Sequence, residues 1–229
     1  MIGPSPVADR TPVWHLYRTL VGVGVACGIL IVSVFEWTKP IIRANRIEAR
    51  RAAVLRVMPG AATSRTFRWE GERLAPAPDD SEGDDLAFAG FDASGTLVGV
   101  AVQAHGSGYQ DEIRVLLGLS FERSAIVGLA VLESRETPGL GDRAETDEAF
   151  QANFRALDVA LDDRGAALRH PIEFRKGRKA SEEKRPWQID GITGATVTSR
   201  AIAKMVAETA ALQVPRLFRQ RADFMLEGR

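Results

Sequence analysis

A loop of glycines and threonines near the C-terminal end of the chain has the residue types that hold an anion. It reads DGITGAT over residues 190–196, where Gly191 and Gly194 allow the backbone to approach a ligand closely. The periodicity of residues 197–212 predicts a helix directly after this loop, and the N-terminus of such a helix would stabilise a phosphate. Four hydroxyls could add hydrogen bonds, those of Thr193, Thr196, Thr198 and Ser199. Geometry alone favours the alternative of an ordinary turn followed by a helix cap.

A second segment, SRETPGLGD over residues 134–142, combines a proline–glycine pair with flanking polar residues. Pro138 and Gly139 predict a type II turn that ends a strand and exposes backbone N–H groups at Leu140 and Gly141. Such a turn could hold the edge of a planar ligand. Taken alone, it is more often ordinary loop chemistry.

Basic and aromatic residues precede the glycine–threonine loop. The basic residues could approach a phosphate, although a solvated loop is the simpler interpretation, and Lys184 and Arg185 are the nearest to the motif. The basic run comprises Arg175, Lys176, Arg178, Lys179, Lys184 and Arg185. Trp187 could stack on a ligand ring, but a core aromatic is at least as good an interpretation.

The composition excludes several classes of protein. The chain has 229 residues, with 30 basic and 30 acidic side chains and no net charge, which argues against a nucleic-acid-binding protein. A single cysteine rules out a disulfide framework and a cysteine-ligated cluster. The three histidines are scattered, so no metal site is predicted. Neither a dinucleotide fingerprint nor a phosphate-binding P-loop is present.

An apolar segment near the N-terminus predicts a retained transmembrane helix. Residues 19–35 carry no charge, and at 1.5 Å per residue they span about 26 Å of a hydrocarbon core about 30 Å thick. Aromatic residues flank the segment at the positions of an interface, and no small-residue cleavage site follows it. A cleaved signal peptide and a buried core helix are the alternatives.

The chain is predicted to have four parts: a short tail at 1–18, the transmembrane helix at 19–37, a juxtamembrane helix at 38–60 and one domain at 61–229. The juxtamembrane helix is rich in arginine, and we expect its side chains to lie near lipid phosphates. By the positive-inside rule alone, these arginines would place the domain in the cytoplasm.

Strands followed by helices predict an α/β (α+β) domain. Alternating apolar residues predict two hairpins, 86–91 with 97–104 and 113–121 with 126–134. An acidic loop at 76–85 precedes them. The remaining elements are a helix at 145–156, short strands at 171–174 and 186–190, and helices at 197–212 and 214–226.

Together, the two segments resemble the flavin-binding subunits of bacterial ion-pumping respiratory complexes. The pattern is most similar to the G subunit of the Rnf electron-transport complex, and it is also similar to the C subunit of the sodium-translocating NADH:quinone oxidoreductase. In these families a D-x-x-[ST]-G-A-T motif carries FMN through a phosphoester on its last threonine, which corresponds to Thr196. The family segment E-T-P-G-L-G corresponds to residues 136–141, and a G-Y-x-x-x-[IL] segment to residues 108–113.

The resemblance implies an FMN-binding domain with one N-terminal transmembrane helix and a covalent flavin on Thr196. Asp190 would be recognised by the flavin transferase that attaches FMN, while no catalytic residue and no metal are implied. The implied phosphate contacts are Thr193, Gly194, Ala195 and Thr198, and the implied contacts to the ring are Glu136, Thr137, Gly139 and Leu140. Tyr109 and Lys184 complete the predicted FMN-binding set.

The function that the resemblance implies is electron transfer by one subunit of an ion-translocating complex, with no turnover in isolation. Its partners would be the other membrane and peripheral subunits, the flavin transferase and membrane lipid, but not nucleic acid. The implied location is the bacterial inner membrane, with the domain in the periplasm. The alternatives are the C subunit of the quinone reductase, a stand-alone flavoprotein reductase, and a non-redox anchor or sensor domain.

Overall fold

The computed structural model describes residues 13–139, 141–177 and 183–226, with the backbone alone at residue 226. The chain divides into two compact units, Met1–Arg46 and Ile47–Arg229. The predicted ring contact Leu140 lies outside the described residues, as do Arg178 and Lys179 of the basic run.

Helix α1 spans Val13–Val57 without interruption. An 18-residue window of this helix has a mean hydropathy of 2.1 and no buried residue, so α1 is long and apolar enough to cross a membrane. We predicted two helices, at 19–37 and 38–60, and the structure has one. Pro40 lies inside the helix but removes a single backbone donor, and the hydroxyl of Thr38, at the predicted boundary, donates back to the Val34 carbonyl at 2.9 Å and does not cap a new helix.

The second unit is built on a seven-stranded antiparallel sheet, in the order β2-β1-β3-β4-β5-β6-β7. The strands are β1 (Thr63–Glu70), β2 (Arg73–Pro76), β3 (Leu86–Phe91), β4 (Leu97–Ser107), β5 (Glu112–Ser120), β6 (Ala125–Glu133) and β7 (Leu157–Asp158). Both predicted hairpins are present as β3–β4 and β5–β6. Strands β1 and β2 were not predicted, because charged residues interrupt their apolar pattern.

The remaining elements follow the sheet along the chain. They are α2 (Arg143–Thr146), α3 (Glu148–Gln151), a 3-10 turn (Ala152–Phe154), the parallel strands β8 (Glu173–Arg175) and β9 (Gln188–Asp190), α4 (Thr196–Arg219) and α5 (Asp223–Leu226). The helix predicted at 145–156 is broken, because Asp147 has an extended backbone and its side chain accepts a hydrogen bond from the Phe150 N–H. The predicted α+β class is confirmed.

Helices cover both faces of the sheet. Against one face, Phe224 of α5 packs edge-on to Phe67, and Phe218 of α4 packs edge-on to Phe121. Against the other face, the last turns of α1 bury Ala53, Val54, Val57 and Met58 over Leu86, Phe88, Ala101, Leu116 and Ala130. Because both faces are buried, every residue of β3 is buried.

The end of α1 approaches the sheet closely. Four adjacent strands each have a glycine there, namely Gly90 on β3, Gly99 on β4, Gly118 on β5 and Gly128 on β6, and we call these residues the glycine platform. A Cβ added at Gly118 would lie 2.7 Å from the carbonyl carbon of Val57, and one at Gly128 would lie 2.6 Å from its oxygen. At Gly118 and Gly128, therefore, only glycine lets the helix backbone rest on the strands.

The acidic loop between β2 and β3 contacts basic side chains of the second unit. Arg50 donates to the carbonyl oxygens of Ser81 and Asp79, both at 2.8 Å, and Arg51 pairs with the Asp79 carboxylate at 3.0 Å. These two arginines therefore contact protein, whereas we had expected the arginines of this helix to lie near lipid. Asp84 accepts from Arg114 of β5 at 2.9 Å.

Candidate functional site

The glycine–threonine loop connects β9 to α4. Gly194 has a φ of +91°, a conformation that glycine adopts without strain and other residues rarely adopt. The Ala195 N–H donates to the Ile192 carbonyl at 3.2 Å, and the Ser199 N–H donates to the Ala195 carbonyl at 3.0 Å. Thr193 and Gly194 are exposed, so the outer surface of the loop is open to a ligand.

Thr196 is the first residue of α4 and is half-buried. Its Oγ1 lies 3.4 Å from the Ile192 carbonyl oxygen, which is a weak hydrogen bond. The first turn of α4 has neither an acidic residue nor a side-chain cap on its N–H groups. An anion esterified to Thr196 would therefore meet the unpaired N–H groups and the positive dipole end of a 24-residue helix. The loop fits the phosphate of FMN.

Ser199 holds the loop together and does not face a ligand. It is fully buried, its hydroxyl donates to the Ala195 carbonyl at 2.9 Å, and it accepts from the Ile192 N–H at 3.2 Å. Gly191 packs between Ser199 and Phe174, because a Cβ there would lie 3.2 Å from the Ser199 hydroxyl and 2.5 Å from the Phe174 ring.

Asp190 is held by residues on the inner side of the loop. The buried Asn153 side chain accepts from the Asp190 N–H at 3.0 Å and donates to the Asp190 carbonyl at 3.1 Å. Lys184 donates to the same Asn153 oxygen and lies 3.8 Å from the Asp190 carboxylate. The structure therefore places Lys184 beside Asp190, whereas the sequence predicted a contact to FMN.

Arg143 approaches the loop from α2. Its Nη1 donates to the Thr193 carbonyl at 3.0 Å, and its Nη2 contacts the Asp147 carboxylate at 3.0 Å. The guanidinium thus brings positive charge to the open side of the loop, next to Gly194. Neither Arg143 nor Asn153 was predicted from the sequence, because no motif or local periodicity marks either residue.

Glu136 connects three of the predicted segments. Its Oε1 accepts from the backbone N–H groups of Tyr109, at 2.8 Å, and Gln110, at 3.0 Å. Its Oε2 accepts from the Thr198 hydroxyl of α4 at 2.6 Å. Thr198 is 3% exposed, so its hydroxyl is committed to Glu136 and is not presented to a phosphate.

Glu136 is held as a carboxylate, although it is only 7% exposed. Burial opposes ionisation of this group, but hydrogen bonds from the Thr198 hydroxyl and from the N–H groups of Gln110, Tyr109 and Asp111 hold the pKa of Glu136 below its usual value. Two glycines make room for the carboxylate. A Cβ at Gly108 or at Gly141 would collide with its oxygens.

The turn between β4 and β5 borders a cavity of about 550 Å³, lined by residues 105–112. Tyr109 is 68% exposed at this cavity, which leaves its ring accessible to a planar ligand. In the neighbouring segment, Gly139 has a φ of +78°, as a type II turn requires, and it is exposed together with Pro138. Thr137 is half-buried.

Trp187 has a protein partner. Its ring stacks on His170, with centroids 3.9 Å apart and an angle of 15° between the planes, and the guanidinium of Arg185 lies 5.7 Å from its centroid. From the sequence we expected Trp187 either at a ligand ring or in the core, and in the structure it joins two surface loops.

Comparisons with known proteins match this part of the chain. The model of the FMN-binding domain family matches residues 108–211, which include the cavity turn, Glu136 and the loop before α4. The G subunit of an ion-translocating oxidoreductase complex from Methanosarcina acetivorans is 28% identical over 196 residues, which are 86% of this chain and 92% of that protein. The corresponding G subunit of Cronobacter sakazakii is 36% identical over 112 residues, or 48% of each chain.

Solved structures share the fold. The crystal structure of Shewanella oneidensis NqrC superposes with a TM-score of 0.61 at 18% identity, over 78% of this chain and 99% of that one. The C subunit of a Na⁺-translocating NADH-quinone reductase from Parabacteroides distasonis gives a TM-score of 0.56 at 14% identity, over 77% and 94% of the two chains. The FMN-binding domain family therefore matches residues 108–211 of this chain, and the chain is similar in sequence to G subunits of ion-translocating oxidoreductase complexes.

Proposed function

We propose that this chain is the membrane-anchored electron-transfer subunit of an Rnf-type ion-translocating oxidoreductase complex, and that it carries FMN through a phosphoester on Thr196. The observation that carries this proposal is the position of Thr196. It is the first residue of α4, it follows a glycine turn with an open outer surface, and no side chain caps the helix. The family match and the homology to the G subunits support the same assignment.

Backbone N–H groups at the start of α4 and the side chain of Arg143 would hold the phosphate. Esterification converts a dianionic phosphate to a monoanion, which the N–H groups of the first turn of α4 stabilise. Thr193 and Gly194 lie on the exposed side of this turn, and Arg143 adds a positive charge next to them. Thr198 and Ser199 hold the protein itself together, so Thr196 is the hydroxyl of the first turn that we assign to the flavin.

The ring would lie against the cavity turn and the type II turn. Tyr109 offers an exposed aromatic face, and Thr137, Pro138 and Gly139 supply backbone at the neighbouring segment. When bound, FMN supplies the electron-transfer chemistry, and the protein orients the ring and limits its contact with water. The roles of Asp190 in recognition by a flavin transferase and of Leu140 at the ring are part of this proposal.

We further propose that α1 anchors the chain in the bacterial inner membrane, that the second unit lies in the periplasm, and that other subunits of the complex and membrane lipid are its partners. Helix α1 has the required length and hydropathy. The homologues are named as subunits of complexes. Protease digestion of intact spheroplasts tests the orientation: a periplasmic domain is cleaved, whereas a cytoplasmic domain survives until the membrane is lysed.

The attachment is tested by co-expression with a flavin transferase. We expect the denatured wild-type chain to fluoresce on a gel and the peptide that contains Thr196 to gain the mass of FMN less one water. Thr196→Ala should lose both signals, and Thr146→Ala, which removes an exposed threonine hydroxyl outside this loop, should keep both. If Thr196→Ala still fluoresces, the flavin is attached to another residue. If the wild-type chain carries no flavin, the non-redox alternative is favoured. Turnover by the purified chain alone would favour a stand-alone reductase.

A further inference from the structure

Three segments that the sequence separates widely meet at one buried side chain. The carboxylate of Glu136 accepts hydrogen bonds from the cavity turn, at Tyr109 and Gln110, and from the first turn of α4, at Thr198. The donor–acceptor distances of 2.6 to 3.0 Å are those of strong hydrogen bonds to an ionised acceptor. Thr198 stands two residues after Thr196 in the same helical turn.

We propose that Glu136 is a positioning residue of the flavin site, and that its carboxylate fixes the cavity turn to the first turn of α4. The attachment residue Thr196 and the surface around Tyr109 then keep one relative geometry. This inference rests on the proposed function, since it takes the flavin phosphate to be on Thr196. It replaces the expectation that Glu136 contacts the ring.

The chemistry of the pocket selects a carboxylate. Three donors converge on two oxygens, and an ionised carboxylate accepts at both, whereas an amide must present a donor at one of them. The surrounding backbone is shaped for this group. Gly108 and Gly141 both have ordinary backbone angles, so glycine is needed there for space alone, and a Cβ at either position would collide with Glu136.

Glu136 is placed to link the cavity turn to the first turn of α4, and it is not placed to contact a ligand. The side chain is 7% exposed, and both oxygens are occupied by protein donors. Tyr109, in contrast, is held only through its backbone N–H and keeps its ring exposed. The carboxylate therefore holds the turn in place while the ring of Tyr109 remains available to the flavin.

The test uses the full chain with and without flavin. In the flavinylated protein, time-resolved fluorescence anisotropy reports the mobility of the isoalloxazine ring. We expect an immobile ring in the wild type, a mobile ring in Glu136→Ala, and partial restoration in Glu136→Gln, whose amide oxygen still accepts from the two N–H groups. Glu133→Gln, which replaces a half-buried carboxylate at the end of β6, should behave as the wild type.

The flavin-free Thr196→Ala chain provides an independent measurement. Amide exchange of the peptide covering residues 108–112 should accelerate at least about tenfold when Glu136→Ala is added, because two N–H groups lose their acceptor. If Glu136→Ala does not fold, Thr198→Val decides, since it removes one hydroxyl at nearly constant volume and should also release the ring.

The outcomes separate this inference from the proposed function. A wild-type chain that carries no flavin overturns the attachment at Thr196, and the exchange measurement then still tests the link made by Glu136. The positioning role is overturned if the wild type carries flavin and if neither Glu136→Ala nor Thr198→Val changes ring mobility or amide exchange. A loss of thermal stability in these variants with an unchanged ring also overturns it, because a merely structural role gives that result.

Discussion

Gly118→Ala should loosen the end of α1 from the sheet. The added Cβ would collide with the Val57 carbonyl oxygen and lie 2.7 Å from its carbon, where an ordinary van der Waals contact begins at 3.4 Å. The obstructing atoms are backbone and cannot rotate away, as a flexible side chain could. The helix end must therefore move by more than about 0.7 Å from the platform, because the Val57 oxygen lies nearer to the added Cβ than the carbon does.

The expected loss in the free energy of unfolding follows from the residues at the end of α1 that pack on the glycine platform. Overpacking of a close-packed core costs about 1–3 kcal/mol. The shift would also weaken the packing of Ala53, Val54, Val57 and Met58, all of which are buried. We expect a loss near the upper end of that range, about 3 kcal/mol in the free energy of unfolding. For a unit of this size the melting temperature should fall by about 6–12 °C.

Thermal unfolding of the full chain in detergent, followed by tryptophan fluorescence, measures this loss. Gly106→Ala is the matched control, because its Cβ would meet the flexible end of Met205 at 3.3 Å, and we expect less than about 1 kcal/mol for it. If Gly118→Ala melts within about 2 °C of the wild type, or no lower than the control, the close packing of α1 on the sheet is wrong.

Three further changes have defined outcomes. Thr196→Val should lose the flavin but change the free energy of unfolding by less than about 1 kcal/mol, since its hydroxyl makes only a 3.4 Å contact with Ile192; a larger loss would give this hydroxyl a structural role. Glu136 has a lowered pKa, so its contribution to stability is present above the usual carboxyl value near 4.5 and is lost as the pH falls through the folded pKa. Acid titration should therefore destabilise the wild type more than Glu136→Gln, and equal slopes would contradict this assignment. Asn153→Ala removes two hydrogen bonds to the backbone of Asp190 and should cost about 2–4 kcal/mol in urea unfolding, whereas a loss below about 1 kcal/mol would show that water replaces the amide.

Local patterns were enough to predict part of the fold. The apolar alternation of 86–91 and 97–104 correctly predicts β3 and β4, because a strand that packs on a core has a local period of two. Strand β1 was missed, because its buried Phe67 lies among charged residues that interrupt the apolar alternation. The break at Asp147 also escaped detection, since the helical spacing of apolar residues continues across it.

Contacts between distant residues were not predictable. Glu136 and Thr198 are 62 positions apart, and Asn153 and Asp190 are 37 apart, so no window of sequence contains both members of either pair. The same applies to the end of α1. Its arginines suggested a lipid surface, but its apolar residues meet a platform built from four strands that follow it in the chain.

Residue types within a few positions of one another are enough to specify the apolar N-terminal helix, the two hairpins, the turn with positive φ at Gly139 and the glycine–threonine loop before α4. Only long-range contacts show which of two threonine hydroxyls in the first turn of α4 is strongly bound by the protein. Thr196 and Thr198 are equivalent as residue types in one helical turn, and Thr198 is withdrawn because folding brings a buried carboxylate to it. Such contacts between distant residues depend on how the whole chain folds, which local propensities do not encode.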